Sequence, residues 1–308
     1  DSIGLSFGGR FRNEPDTDWS MAPNRAWAQS IRGKWMKKPG DAPLEIPLVF
    51  SGCEVFSGRQ TRTVTDPSQR DPERGAHQVV ALWARAGEED LKSAVAAAKA
   101  DPDGWRSLTP VRRRQVLKRA AMEIRRARGD LVGAAAAEGG KVFYESDPEV
   151  SEAVDFVEYY ALMACDLEEL NGLTFRGRGV GLVLSPWNFP IAIPCGGIAA
   201  SLAAGNTVLL KPASLGVLTA WILCQCFWRA GIGKHTLQFV PCSGEASGDI
   251  LTSHPDVNYV ILTGGTDTGL KIQKGRPHGL LMAETGGKNA TIVTSMSDRD
   301  QAIKNVVY

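Results

Sequence analysis

The sequence predicts an α/β fold, a parallel sheet covered by helices on both faces, and three observations carry that prediction. After Arg178, the apolar runs "GVGLVLS", "NTVLLK", "HTLQFVP", "VNYVILTG" and "GLLMAE" alternate with helix-length segments near Ile193 to Ala204, Val217 to Ala230, Ala246 to Ser253 and Thr266 to Lys274. That rhythm suits right-handed βαβ crossovers, whose strands are buried on both faces and therefore read as continuous apolar runs. Before Arg178, three long segments have helical periodicity. The composition, 43% hydrophobic with 22% charged residues, is that of a globular chain with a full core.

Taken in order, the text up to about Pro43 is rich in Gly, Pro, Asn, Asp and Arg and reads as a linker with one short helix around "NRAWAQSIRGKWM". From Leu44 to Trp83, "IPLVF" and "HQVVALWA" are strand-like, with "DPSQRDPERG" as a turn-rich loop between them. "GEEDLKSAVAAAKA" opens with acids, which favour a helix N-terminus, and continues in alanine. "TPVRRRQVLKRAAMEIRRARGD" puts Leu117, Ala120, Ala121, Ile124 and Ala127 on one face. Its opposite face carries Arg112, Arg113, Lys118, Arg119, Arg125 and Arg126, read as a solvated side rather than a nucleic-acid patch. "SDPEVSEAVDFVEYYALMACDLEEL" is a third helix, with Ser146 or Asp147 as its cap and Pro148 in its first turn.

Bulk properties exclude several function classes. A net charge of +1 gives no whole-molecule attraction to nucleic acid or an anionic membrane. No stretch reaches the roughly 18 apolar residues of a membrane span, and the N-terminus lacks a signal-peptide pattern. The six cysteines are scattered through apolar sequence, so a reduced, cytoplasmic chain is expected. Cys224 and Cys226 point in different directions on a helix, and with four histidines and no CxxC no metal site is expected.

In parallel sheets ligands sit at the carboxyl ends of the strands, so those ends hold the candidate site. The first, "SPWNFP", is a tight turn in which Asn188 serves either turn geometry or as an amide donor to a developing oxyanion. The second, "LLKPAS", puts the Lys211 ammonium at the binding edge, either solvated or meeting ribose hydroxyls or a phosphate. In "ILTGGTDTG", Thr263, Gly264 and Gly265 lead into a helix whose N-terminus suits a pyrophosphate, although the GxGxxG fingerprint is absent. In "AETGGKNATIV", Glu284 stands before a Gly-Gly pair.

Together, "SPWNFP", "AAGNTVLLKPA", "LTGGTDTG" and "AETGGKN", in this order and spacing, resemble the aldehyde dehydrogenase superfamily over Leu44 to Tyr308. The resemblance implies a Rossmann-like sheet and oxidation of a small-molecule aldehyde with hydride transfer to a nicotinamide cofactor. It makes Asn188 the oxyanion amide, Lys211 an adenosine-ribose ligand, Gly264 and Gly265 the pyrophosphate turn, and Glu284 the general base that activates water for thioester hydrolysis. It also places Ser185, Pro186, Trp187, Ser214, Gly244, Gly248, Thr263, Thr266 and Gly286 around the cofactor. Three residues after the lysine, many NAD-preferring members carry Glu where this chain has Ser214; NAD is the implied cofactor, with NADP left open.

The family's nucleophilic cysteine is expected about 35 residues beyond the glutamate, past Tyr308, and none of the six cysteines lies in its motif. Cys195, which follows "SPWNFP", reads as part of a helix packed under the sheet. The expected organisation is therefore a linker over 1–43, a dinucleotide-binding domain over 44–286 and the start of a truncated catalytic domain over 287–308. That last segment should expose apolar side chains such as Ile292 and Val306.

"FRNEPDTDWSMAPNRAWA" resembles the linker before the dehydrogenase module of the bifunctional proline utilization A branch. The branch implies oxidation of L-glutamate γ-semialdehyde, in equilibrium with 1-pyrroline-5-carboxylate, to glutamate. It also implies a homo-oligomer for the full-length protein, and FAD only if a proline dehydrogenase domain precedes Asp1. The alternatives are another substrate branch of the same superfamily, or a nucleophile-free dinucleotide-binding protein.

Overall fold

The computed structural model describes residues 11–36, 40–70, 75–244 and 246–307. The first helix, α1 (Ala22–Trp35), is followed by three short strands, β1 (Leu44–Ile46), β2 (Leu48–Phe50) and β3 (Cys53–Val55), and by the longer β4 (Thr61–Arg70) and β5 (His77–Ala84). Four helices come next: α2 (Glu88–Ala100), α3 (Pro110–Arg126), α4 (Arg128–Gly139) and α5 (Phe143–Glu168). Strict alternation then begins with β6 (Val180–Leu184), α6 (Ala192–Ala203), β7 (Thr207–Lys211), α7 (Val217–Arg229) and β8 (Leu237–Phe239). It continues through α8 (Ala246–Ser253), β9 (Tyr259–Gly264), α9 (Thr266–Gly275), β10 (Leu280–Thr285) and α10 (Arg299–Val307).

The main sheet has the order β10-β9-β6-β7-β8-β2-β3. From β10 to β8 every pairing is parallel, as the apolar runs predict; β2 and β3 add an antiparallel edge that "IPLVF" does not reveal. Alternate residues of one strand enter different cores. Val208 and Leu210 join the helices α3 to α7 on one face, while Leu209 joins α2, α8 and α9 on the other. The chain leaves β6 toward β7 and β8, then returns to lay β9 on the opposite side of β6, which makes the β6/β9 gap a topological switch point. A separate small sheet, β1-β5-β4, packs against α4.

Several local expectations are corrected. Residues 66–70 of the supposed loop extend β4, held by side-chain bonds from Ser68 and Gln69 to the buried Asp66; residues 71–74 lie outside the described residues. "TPVRRRQVLKRAAMEIRRARGD" is two helices, because the chain leaves helical geometry at Ala127. The third long helix starts at Phe143 after the extended Val142, so Ser146 and Asp147 are interior rather than caps and Pro148 lies inside the helix. Asp147 instead accepts from the Thr17 backbone N–H (2.6 Å) and hydroxyl (2.7 Å) and pairs with Arg128. The described part of the N-terminal segment is thereby fastened along α5, where Asp155 also receives Asn13 and the Glu14 amide.

The basic face of α3 is only partly solvated. Arg113 is buried and donates to the carbonyls of Ala203 and Leu108; Arg119 donates to the Ala230 carbonyl, and Arg125 pairs with Glu14 and Glu158. Ala203 and Ala230 end α6 and α7, where unpaired carbonyls and the negative end of the helix dipole attract a guanidinium. Beyond β10, Ile292 and Val306 stand exposed and α10 buries no residue.

Candidate active site

The carboxyl ends of β6, β7, β9 and β10 converge on one cavity of about 860 Å³ astride the switch point. That size falls within the roughly 300–1,000 Å³ of small-molecule sites. All the predicted site residues line it except Ser214 and Thr266. Ser214 is exposed in the turn beyond the rim, because the Ala213 amide donates to the Ser185 carbonyl (3.2 Å) and leaves Ala213 facing the cavity. Thr266 is the first residue of α9, its hydroxyl oxygen 3.9 Å from where a Cβ on Gly286 would stand.

Each wall follows from its strand. Parallel register sets Glu284 opposite Thr263 and Thr285 opposite Gly264, so the acidic residue and the glycine turn share one edge. The N-terminus of α9 carries no side-chain cap, so its first N–H groups are available to a ligand. A Cβ on Gly264, Gly265 or Gly286 would make no contact closer than 3.6 Å, and one on Gly244 would stand in open space. The protein's own packing therefore does not require glycine at these positions; the room belongs to the cavity. The Lys211 ammonium, half-buried at the end of β7, makes a single hydrogen bond among the described residues, to the Pro212 carbonyl at 3.4 Å. Such a set fits a dinucleotide, with donors and positive ends for its phosphates and hydroxyls and bare backbone where it approaches most closely.

Asn188 is exposed in the turn after β6, and its side-chain amide makes no hydrogen bond among the described residues. Glu284 is likewise exposed, and its charge reaches Tyr160 of α5, whose phenol is pushed up first by burial, then by Tyr159 and Glu284. None of the six cysteines lines the cavity. Cys195 lies fully buried on α6, its Sγ 3.4 Å from the Ala153 carbonyl, and burial pushes its thiol well above the usual range, as expected of a packing residue and not of a nucleophile.

Two site-supporting carboxylates escape sequence reasoning. Glu138 of α4 accepts from the backbone N–H groups of Leu218 (2.9 Å) and Thr219 (3.0 Å) and from the Thr219 hydroxyl (2.9 Å), so it caps α7. Glu149 of α5 does the same for α6. A cap supplied from a distant helix leaves no local signature, since the usual signal is a polar residue adjacent in sequence. The cavity is also lined by the exposed pair Lys271–Asp249 (2.8 Å), contributed by α9 and α8, which no sequence motif marks.

Among the described residues, no helix is long and apolar enough to cross a membrane. The 1-pyrroline-5-carboxylate dehydrogenase of Bacillus pumilus (strain SAFR-032) is 33% identical over 310 residues, covering 95% of this chain and 58% of that protein. This chain thus spans about three fifths of the curated relatives it matches. Among solved structures, proline utilization A from Bdellovibrio bacteriovorus, inactivated by N-propargylglycine, superposes with a TM-score of 0.87 at 29% identity over 98% of this chain and 32% of that one. A Thermus 1-pyrroline-5-carboxylate dehydrogenase with bound NAD superposes with a TM-score of 0.80 at 30% identity over 91% and 56% of the two chains. A model of the aldehyde dehydrogenase family matches residues 62–308, a span that includes every strand bordering the cavity, and the chain belongs to that family.

Proposed function

We propose that the chain is the dinucleotide-binding part of an NAD-dependent enzyme that oxidises L-glutamate γ-semialdehyde, the open form of 1-pyrroline-5-carboxylate, to glutamate. The observation that carries this is the convergence of Asn188, Lys211, the Gly264–Gly265 turn and Glu284 on one cavity, in a chain whose relatives carry that enzyme's name. Lys211 would hold the adenosine ribose, the uncapped start of α9 the pyrophosphate, and Gly286 would let the backbone pass close to the nicotinamide. The bound cofactor supplies the hydride acceptor. Asn188 donates its side-chain amide to the aldehyde oxygen as negative charge develops there. Glu284, at a strand end with glycines behind it, takes a proton from the water that releases the acid.

The attacking thiolate is not among the cysteines here, and we place it in the length that the relatives have beyond this chain. Residues 44–286 are then the dinucleotide-binding domain, residues 1–43 a linker, and residues 287–308 the opening of the catalytic domain, with its apolar side chains waiting for partners. A cytoplasmic site suits the six unpaired thiols, and a homo-oligomer is the expected assembly. The competing reading is a dinucleotide-binding protein without chemistry, which Lys211 and the uncapped start of α9 would serve equally well.

The deciding experiment measures NADH formation from L-glutamate γ-semialdehyde by the complete polypeptide, beside titration of this chain with NAD. Turnover abolished by Glu284→Gln supports the enzyme. Tight NAD binding with no turnover of this or any other aldehyde by the complete polypeptide supports the binding protein.

A further inference from the structure

One ion pair holds the turn that carries Asn188 at two points, at residue 188 and where the turn enters α6. Lys141 lies in the short connection between α4 and α5, and Glu149 lies on α5. The Lys141 Nζ donates to Glu149 Oε1 at 2.5 Å and to the backbone carbonyl of Asn188 at 2.7 Å, and it stands 4.0 Å from the centre of the Phe189 ring. The second carboxylate oxygen, Oε2, accepts from the backbone N–H groups of Ile191 at 3.0 Å and Ala192 at 3.1 Å. The pair therefore holds residue 188 by its carbonyl and residues 191 and 192 by their amides.

The two side chains are 13% and 2% exposed, for lysine and glutamate. Charges so withdrawn from water persist only when paired and hydrogen-bonded, which restricts them to one geometry. The carboxylate also meets the positive end of α6. The Asn188 side-chain amide, by contrast, has no partner among the described residues. A backbone clamped at residue 188 itself and again at residues 191 and 192, with the Asn188 side-chain amide left unpartnered, is the arrangement an oxyanion donor needs, because such a donor acts only if it is oriented before charge develops.

We infer that Lys141 and Glu149 are positioning residues that aim the Asn188 amide at the aldehyde oxygen, an inference that rests on the oxyanion role proposed for Asn188. Neither touches substrate or moves a proton; their effect on rate passes through Asn188.

The test is steady-state NADH formation from L-glutamate γ-semialdehyde by the complete polypeptide carrying Lys141→Met, Lys141→Arg, Glu149→Gln, Asn188→Ala, or Lys141→Met with Asn188→Ala. Asn188→Ala should lower kcat about 10²- to 10³-fold. Lys141→Met should lower it about 10- to 10²-fold through misplacement, with a smaller change in the KM for NAD, because Lys211 and the Gly264–Gly265 turn stand on other strands than the clamped turn. The double variant should be no slower than Asn188→Ala alone, since a residue acting through another adds nothing once that other is gone. Lys141→Arg, which keeps the charge against Glu149, should recover part of kcat. Losses that multiply, or an undiminished kcat in Lys141→Met, would overturn the positioning role and leave that of Asn188 standing. An undiminished kcat in Asn188→Ala would overturn both. If Lys141→Met does not fold, Glu149→Gln with and without Asn188→Ala gives the same comparison.

Discussion

At the scale of single residues, the site separates groups held by the fold from groups left free. Lys211 is the clearest of the free ones, a half-buried ammonium with one weak carbonyl contact. Charge-assisted hydrogen bonds contribute about 1.5–3 kcal/mol, so Lys211→Ala should weaken NAD binding about 10- to 100-fold in a calorimetric titration, and unchanged affinity would remove it from the site. Glu138 is the opposite case. Burial raises its carboxyl from the usual 4.5 to about 6 against the pull of its hydrogen bonds to Thr219 and Leu218. Because the folded value is the higher one, the chain binds a proton on folding. The resulting stability is fully present below pH 4.5 and fades as pH rises through about 6. Urea unfolding across that range should show a stability contribution that falls with rising pH, and Glu138→Gln should reduce the slope, leaving the part owed to Glu149 and Glu152, whose carboxyls burial also raises.

At the scale of elements, the joints between helices decide what the strand ends can do. Glu138 and Glu149 cap α7 and α6, while Arg113 and Arg119 close the far ends of α6 and α7, so both helices behind the binding loops are fastened at each terminus. The first helix docks by shape instead: a Cβ on Gly133 of α4 would stand 2.1 Å from the Trp35 ring of α1. Gly133→Ala should push that indole out and lift α1 from α4, at a cost of about 1–3 kcal/mol, visible as a lowered denaturant midpoint and a shift in tryptophan fluorescence. A variant with unaltered midpoint and emission would show that α1 is not seated there. These joints were illegible beforehand. The arginines of α3 read as a solvated stripe because their carbonyl partners lie about 90 to 111 positions away.

At the scale of the whole molecule, burial is concentrated around the switch point and thins toward the last described residues. The strands β6 and β7 are buried on both faces, whereas residues 286–298 and all but one residue of α10 are exposed. Hydrogen exchange should be slowest at residues 180–184 and 207–211 and fast across residues 288–307, because local opening is easiest where few apolar contacts resist it. Strong protection of residues 288–307 in this chain alone would contradict that gradient. The exposed apolar side chains there, Ile292 and Val307 among them, are the surface that the proposed remainder of the enzyme would cover.

The alternation of apolar runs with helical segments, and the motifs at the strand ends, were determined by the sequence itself. They depend on neighbours within a few residues and on a period that burial imposes locally. Lys211, Gly264 and Glu284 could be singled out because a parallel sheet brings all its carboxyl ends to one edge, whichever order the strands take. Only the tertiary structure decided that order, with β9 beside β6, and with it which ends share the cavity and that Ala213 rather than Ser214 faces it. It alone brought Lys141 and Glu149 under the Asn188 turn and set Glu138 against α7. Those pairings join residues about 40 to 80 positions apart through the packing of α4 and α5 on the sheet face, and no local periodicity records them.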